Sequence, residues 1–426
     1  MHKFKLKLGK EKIEYRIKEE NFLGLLESDK AYSKTEENII KDSLENPIKS
    51  DKLRNIVNKG ERVCIVVSDV TRMYQKPDIF LPYIVEELKA GGIEDSDIFF
   101  LCALGSHRKQ TLKEHKKILG DKLYEKYDVI DHDCDDKSNL VNIGTTSRGT
   151  PVEINKLAVD ADRVVVTGAV VYHVMAGWGG GRKSILPGIS SRKSIMINHA
   201  HSITDTPGKG PNPECGSAIY EGNPLNEDMV EAAEMFNPDF MFNVILGQDR
   251  IVDAVSGNIT AAHKVGCEKV SKENDFLIDE LADMVVVSAG GFPKDINYYQ
   301  STKAMLNSMR SVKSDGVIII LADCSEGIGN PEVSYIINNF KNNLDRENEL
   351  RENYTISKYI GFESAWHSEV YNIIYVSSID TSLIENIPIT VVGSLDEALQ
   401  KAKEIKGSLD MKTYVMPDAS VFPVLK

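Results

Sequence analysis

The feature that most narrows the fold is an alternation. Short apolar, β-branched runs alternate with amphipathic helical stretches through most of the chain. The clearest runs are Val63–Val67, Ile98–Leu104, Val164–Val171, Phe240–Leu246, Met284–Val287, Val317–Leu321, Ile373–Val376 and Ile389–Val392. Continuous apolar runs of this length suit strands buried on both faces, as in a parallel sheet covered by helices. Between them, Asp78–Ala90 puts Ile79, Tyr83, Ile84 and Leu88 on one helical face, and Leu395–Ile405 reads as a second helix. The alternation predicts an α/β protein: two domains with mainly parallel sheets flanked by helices.

The 426 residues fill two or three domains at ~100–200 residues each. A polar helix over 261–281 separates two strand series. The expected division falls at about residue 272, giving an N-terminal domain, 1–272, and a C-terminal domain, 273–426. The last residues, TYVMPDASVFPVLK, are expected to return to the first domain. The first twenty residues alternate (Phe4, Leu6, Leu8, then Ile13, Tyr15, Ile17) as a hairpin or edge strand does.

Charge and cysteine usage exclude several classes. Lys and Arg number 51 against 64 Asp and Glu, a net charge of −13, which argues against nucleic acid because phosphate contacts need clustered cations. The Lys-rich stretches 3–12 and 113–117 are diluted with acids and read as solvated faces. No apolar run reaches the ~18–20 residues of a membrane helix. The opening MHKFKLKLGKEKIEYRIKEE lacks the apolar segment of a signal peptide, so a cytoplasmic location is expected. Six cysteines without a CxxC pair point to reduced thiols rather than a disulfide framework or a zinc finger.

Chemistry-bearing residues follow the strand runs directly. Ser68, Asp69, Thr71 and Arg72 come after the first run, Gly105, Ser106, His107 and Arg108 after the second, and Tyr172 and His173 after the third. Ligands of open α/β sheets sit beyond the carboxyl ends of the strands, so parallel strands would bring these groups to one crest. The stretch AGWGGGRKSILPGISSRKSIMINHAH (176–201) then presents Lys183 from a Gly-rich loop, followed by Asn198, His199 and His201. It departs from a P-loop: Arg182 precedes the lysine where Gly is required, and Pro187–Gly188 break the helix that would cradle phosphate. In the second half, Gly290 and Gly291 turn the chain after a strand, and Tyr299 and Lys303 share one helix face, a pairing suited to an anion. Asp323 and Glu326 close another strand end. The DHDCDD cluster (131–136) reads as an acidic surface turn, because adjacent ligands rarely converge on a metal.

Two histidines and a cation on one cleft suit general acid–base work on a carboxylate substrate. Racemisation by two bases alone needs strong electronic help at a weakly acidic carbon. A hydride route needs an electron acceptor, hence a cofactor. Spacing alone stops at an α/β enzyme with a His-rich, Gly-lined site for an anion.

SDVTR (68–72), ALGSHR (103–108), the His173 segment, GGGRKSILPG (179–188), NHAH (198–201), NPL after Gly222 and YQSTK (299–303) occur in an order and spacing that resemble the nickel-pincer-nucleotide-dependent lactate racemase family. That resemblance implies a 2-hydroxyacid racemase or epimerase, an active site in the interdomain cleft, and cofactor-maturation enzymes as partners. It implies a nickel pincer nucleotide covalently held by Lys183, with His199 as the metal ligand and Asp69, Arg72, Gly180 and Gly181 as further cofactor contacts. His107 and His173 correspond to the acid–base pair, and Arg72, Tyr299 and Lys303 to substrate-binding positions. Trp366 corresponds loosely to an aromatic near the cofactor. Trp178 and Arg182 within the Gly-rich loop depart from the pattern and would reshape the pocket or pair with the cofactor phosphate. The alternatives are a nucleotide-binding phosphotransferase using the Gly-rich loop, or a non-catalytic ligand-binding member of the fold.

Overall fold

The apolar runs form strands, and helices cover them. The computed structural model describes residues 1–27, 32–247 and 250–426. The chain forms two compact units: a first of Ala31–Ser202 and Pro213–Glu273, and a second of Met1–Lys30, Ile203–Asn212 and Asn274–Lys426.

The first unit is built on a six-stranded sheet. Its order is Arg250–Gly257, Phe240–Gly247, Arg163–Val170, Val63–Ser68, Ile98–Ala103, Asp128–Asp131. All neighbours are parallel except the antiparallel edge strand Arg250–Gly257. Val63, Ile65 and Val67 alternate toward a core that also takes Phe80, Ile84 and Leu88 from the helix Pro77–Ala90, and Phe100, Phe240 and Phe242. Period-2 strands and a period-3.6 helix thus bury their apolar faces against each other.

The second unit carries a fully parallel sheet ordered Ile389–Val392, Asn372–Val376, Val312–Leu321, Ala282–Ser288, Thr413–Met416, Phe22–Leu25. The N-terminal residues form the expected hairpin, His2–Leu8 against Glu11–Ile17. It lays Leu6, Tyr15 and Ile17 on the core of Met284, Val286, Val317 and Ile319. The hairpin turn also covers this sheet's strand ends. Gly9 N–H donates to Asp295 at 2.6 Å, Phe292 N–H donates to the Gly9 carbonyl at 2.8 Å, and Ser288 donates to the Lys7 carbonyl at 2.6 Å. The Gly290–Gly291 turn therefore abuts the chain's own N-terminus.

Three expectations differ from the structure. The N-terminal segment belongs with the C-terminal residues, because its apolar face needs the second core. The tail does not return to the Ala31–Glu273 part: Thr413–Met416 lies inside the second sheet, and Phe422–Leu425 pairs with Asp275–Ile278. The polar helix spans Ile259–Asn274 and gives way to that same Asp275–Ile278 strand, since a distant partner decides the state of so short an apolar run. Among the described residues no helix is long and apolar enough to cross a membrane. All six cysteines are free thiols.

Candidate active site

Strand order in the first unit reverses between Val63–Ser68 and Arg163–Val170: successive strands run outward on either side of that pair. Such a switch point opens a crevice at the carboxyl ends. Asp69 and Arg72 follow one of these strands, Tyr172 and His173 the other, and His107 follows the neighbouring Ile98–Ala103.

Asp69 caps the short helical turn Val70–Gln75. Its Oδ1 accepts from Thr71 N at 3.0 Å and from Thr71 Oγ1 at 2.5 Å. Its Oδ2 is bonded to His107 Nδ1. Burial alone would raise the Asp69 carboxyl, but His107, Thr71 and Arg72 outweigh it and hold the group below the usual carboxylate range. With a carboxylate oxygen as its acceptor, Nδ1 carries the ring hydrogen and donates it to Asp69, which leaves the Nε2 lone pair on a half-exposed ring. Arg72 Nη1 donates to Thr71 Oγ1 at 3.0 Å.

His173 faces a different partner set. Its Nδ1 accepts from Met175 N and Ala176 N, both at 3.2 Å, and its Nε2 lies 3.2 Å from Lys183 Nζ. Burial first, then the charges of Lys183, His199, Arg72 and Arg182, hold His173 neutral. Burial and the charges of Arg182 and Arg72 likewise push the Lys183 amine well below its ordinary value. The two amides at Nδ1 keep the His173 hydrogen on Nε2, beside the Lys183 amine.

His199 lies on the helix Arg192–Ala200, capped by Ser191. Its Nδ1 donates to the Ile195 carbonyl at 2.9 Å, which leaves the lone pair on Nε2. Burial, with the Lys183 charge, pushes its pKa down to about 3. Neutral imidazole with its second nitrogen anchored to a carbonyl is the metal-binding form. His173 thus lies within electrostatic reach of Lys183, His199 and Arg72, and Lys183 within reach of His199 and Arg72. The His107 loop is tied to the segment after Lys183 by Gly105 N donating to the Gly188 carbonyl at 2.9 Å.

The Gly-rich loop is shaped from the protein side. A Cβ on Gly180 would stand 2.5 Å from Asn243 Oδ1 and 2.6 Å from the Ala169 carbonyl, and one on Gly181 would stand 2.6 Å from the His263 ring. The Gly181 amide donates to Asn243 Oδ1 at 2.7 Å and the Lys183 amide to the Gly180 carbonyl at 3.1 Å. With these amides used internally, the loop makes no P-loop cradle. Arg182 is buried too. It donates to Asn226 Oδ1 at 2.8 Å, to the Ala176 and Trp178 carbonyls at 2.8 and 2.9 Å, and lies 2.7 Å from His263 Nε2. It fastens the loop, so its hydrogen bonds are not available to a cofactor phosphate.

Other motif residues prove supportive. Asn198 donates to the buried Asp228 carboxylate at 2.8 Å, which also takes the hydroxyls of Thr146 and Thr150. His201 Nε2 stands 4.0 Å from that carboxylate. Asn223 caps the helix Pro224–Phe236. The DHDCDD segment is not one surface turn. His132 is buried between Asn155 and the Ser190 carbonyl, and Asp131 reaches His115 at 2.7 Å. Cys102, His115 and Asp131 present three ligand-type atoms within 4.8 Å of one another. Asp131 is already engaged by His115 and by the Gln110 amide at 2.8 Å, so the trio reads as a buried hydrogen-bonded pair beside a thiol.

Asn243 and Asp228 escaped sequence reading. The signal for Asn243 was a polar residue inside the apolar run FMFNVIL. In the second unit, Tyr299 and Lys303 lie on the helix Tyr298–Ser308, with Tyr299 half-buried and Lys303 exposed. Lys303 Nζ donates to Gln300 Oε1 at 2.9 Å. The Trp366 ring packs against Gly210, where a Cβ would stand 2.5 Å from it.

Histidines, a lysine and an arginine brought to the strand ends at a parallel-sheet switch point make this the candidate site of an α/β enzyme. Residues 8–210 match the lactate racemase N-terminal domain and residues 278–422 the lactate racemase C-terminal domain. The chain is 34% identical to lactate racemase of Thermoanaerobacterium thermosaccharolyticum over 98% of both chains. It is 32% identical to lactate racemase of Lactiplantibacillus plantarum over 97% of both. The structure of the Thermoanaerobacterium apoprotein superposes with a TM-score of 0.90 over the whole of both chains. A Thermotoga maritima protein, 18% identical and covering 92% of this chain and 98% of its own, shares the fold at a TM-score of 0.66. The chain belongs to the lactate racemase family, a family of isomerases.

Proposed function

We propose that this chain interconverts the stereoisomers of a 2-hydroxyacid, lactate or a close relative, with a nickel pincer nucleotide as cofactor. The observation that carries the reading is the gathering of His173, Lys183 and His199 beside Arg72, with the Asp69–His107 pair at the adjoining strand end.

The residues present fit such a group. His199 offers a neutral imidazole nitrogen, a good donor for Ni(II). Lys183 offers an amine whose pKa burial and the Arg182 and Arg72 charges push well down, which eases loss of its proton on forming a thioamide. Asp69, Arg72 and the Gly180–Gly181 turn would border the cofactor. When bound, the cofactor supplies an electron-poor pyridinium that accepts and returns the substrate's α-hydrogen as hydride.

The chain's own residues do the rest. Arg72 pairs with the substrate carboxylate. His107, with Asp69 supporting its protonated ring, exchanges the hydroxyl proton at Nε2 on one side of the carbon. His173 does so on the other. Loss of the hydroxyl proton and the α-hydride leaves a planar 2-keto acid; return of the hydride to the opposite face of the carbon, with a proton returned to the oxygen, inverts the centre. Tyr299 and Lys303 are assigned the substrate's anionic end, so Lys303→Ala should raise KM. A cytoplasmic location and dependence on cofactor-maturation enzymes belong to the same reading.

Intact-protein mass spectrometry after coexpression with the maturation enzymes should show an adduct at Lys183 together with bound nickel. Polarimetry on a panel of enantiopure 2-hydroxyacids should identify the substrate. His107→Ala and His173→Ala should each lower racemisation by ~10²–10⁴-fold. An unmodified Lys183, or near-full activity in both histidine variants, refutes the reading.

A further inference from the structure

Asp69 and His107 come from different strand ends, so something must fix the spacing of their loops. The Val70–Gln75 turn begins with backbone N–H groups that its own helix cannot satisfy. Asp69 takes the one at Thr71. The one at Val70 donates to Gln110 Oε1 at 2.6 Å. Gln110 lies three residues beyond His107 and directly before Thr111, the cap of the helix Leu112–Tyr124. Its backbone N–H donates to Asp131 Oδ2 at 2.8 Å, and its Nε2 lies 3.4 Å from Asp131 Oδ1. His115, one turn into the helix, holds that oxygen at 2.7 Å. Asp131 is the last residue of its strand, paired in register with Cys102. Both Asp131 and His115 are largely buried.

We propose that Gln110, seated by Asp131 and His115, is a positioning residue that sets the register of Asp69 against His107. The role suits a carboxamide. One planar group must accept from Val70 and donate toward a carboxylate. A glutamate would turn an oxygen toward Asp131, and a methionine would offer neither bond. The circuit closes through three strand ends: Val70 beside Asp69, Gln110 beyond His107, and Asp131. The catalytic part of this inference rests on the reaction proposed above; the clamp itself rests on the geometry alone.

Two measurements test it. In the cofactor-free chain, hydrogen exchange should quicken over 69–75 in Gln110→Met while Val63–Ser68 keeps its protection. In the loaded enzyme, Gln110→Met should lower kcat by 10- to 100-fold, and the loss should shrink to under about threefold in an Asp69→Asn background, because both changes break one unit. Gln110→Glu should behave like Gln110→Met. Combining it with Asp131→Asn restores a donor facing an acceptor and should recover much of the lost turnover. Unchanged exchange in Gln110→Met overturns the clamp. So do losses that multiply independently of Asp69, as a merely structural residue would give. A wild-type enzyme that carries no adduct and turns over no 2-hydroxyacid refutes the functional reading instead, and the exchange result still decides the clamp.

Discussion

At the residue scale the two histidines are unequal. His107 has a carboxylate at Nδ1, while His173 has two backbone N–H groups there and an amine at Nε2. Asp69 supports a positive ring at His107. His173 can carry a second proton only after its ring leaves Met175 and Ala176, so the structure shows its resting arrangement. The depressed Asp69 pKa gives a pH test. A carboxyl held low in the fold adds stability that is complete above its unfolded pKa of ~3.9 and is lost as pH falls through the lower folded value. Asp69→Asn should therefore cost about 1.5–3 kcal/mol at pH 7, the range for hydrogen bonds to a charged group. The deficit should persist to pH 5 and begin to close only below about pH 4, read by denaturant titration at each pH. A deficit that stays undiminished well below pH 4 would show that the carboxylate charge is not what Asp69 contributes. The positions of Asp69, His107, His173, Lys183 and His199 were legible because each follows a recognisable strand run or the Gly-rich loop. Their partners were not. Asn243 and Gln110 act through single contacts made across long stretches of sequence, and no periodicity marks such contacts.

At the element scale the strands were legible because burial on both faces leaves continuous apolar runs. Short segments were not, as Asp275–Ile278 shows: its apolar residues continue a helical pattern until a partner strand claims them. The helix Ile356–Ser368 holds another feature hidden from sequence. Glu363 is buried on it. Tyr359 OH lies 3.4 Å from its Oε1, and its Oε2 meets no donor. Burial pushes its pKa up to about 8, against a small opposing effect from Tyr359. The sign is opposite to that of Asp69. Below the unfolded value, near ~4.3, both states hold the proton and Glu363 carries no charge penalty. As pH rises toward the folded value the unfolded chain sheds its proton first, so stability falls. Glu363→Gln removes this titration. Its stability relative to wild type should climb between about pH 4.5 and pH 8 and level off above, by up to ~5 kcal/mol. Parallel stability curves for the two proteins across that range would place the carboxylate in contact with water.

At the scale of the whole molecule the chain passes between its two units more than once: residues 1–30 and 203–212 belong with 274–426. A sequence divided at one point hides this, because each passage is made by a segment too short to look like a domain. The energetic consequence is large. The N-terminal segment brings Leu6, Tyr15, Ile17 and Leu26, all buried, and burying such side chains is worth about 1.5–3 kcal/mol each. Four of them contribute roughly 6–12 kcal/mol, comparable with the ~5–15 kcal/mol total stability of an ordinary domain. Removing the segment also strips an edge strand from Thr413–Met416. The 203–212 segment adds a polar tie: Gly208 and Gly210 N–H donate to the buried Glu347 carboxylate at 2.8 and 2.9 Å, and Arg351 pairs with it. A polypeptide of residues 273–426 loses both and exposes an apolar sheet face, so it should lack cooperative thermal unfolding and aggregate. Joining residues 1–27 to 274–426 through a flexible Gly/Ser linker should restore a cooperative transition, at a lower midpoint than the full chain because Glu347 still lacks its two amide donors. Calorimetry on both polypeptides decides the matter. A sharp transition in 273–426 alone would mean that the second core closes without the hairpin, and that the N-terminal strands are an addition to the unit rather than part of its foundation.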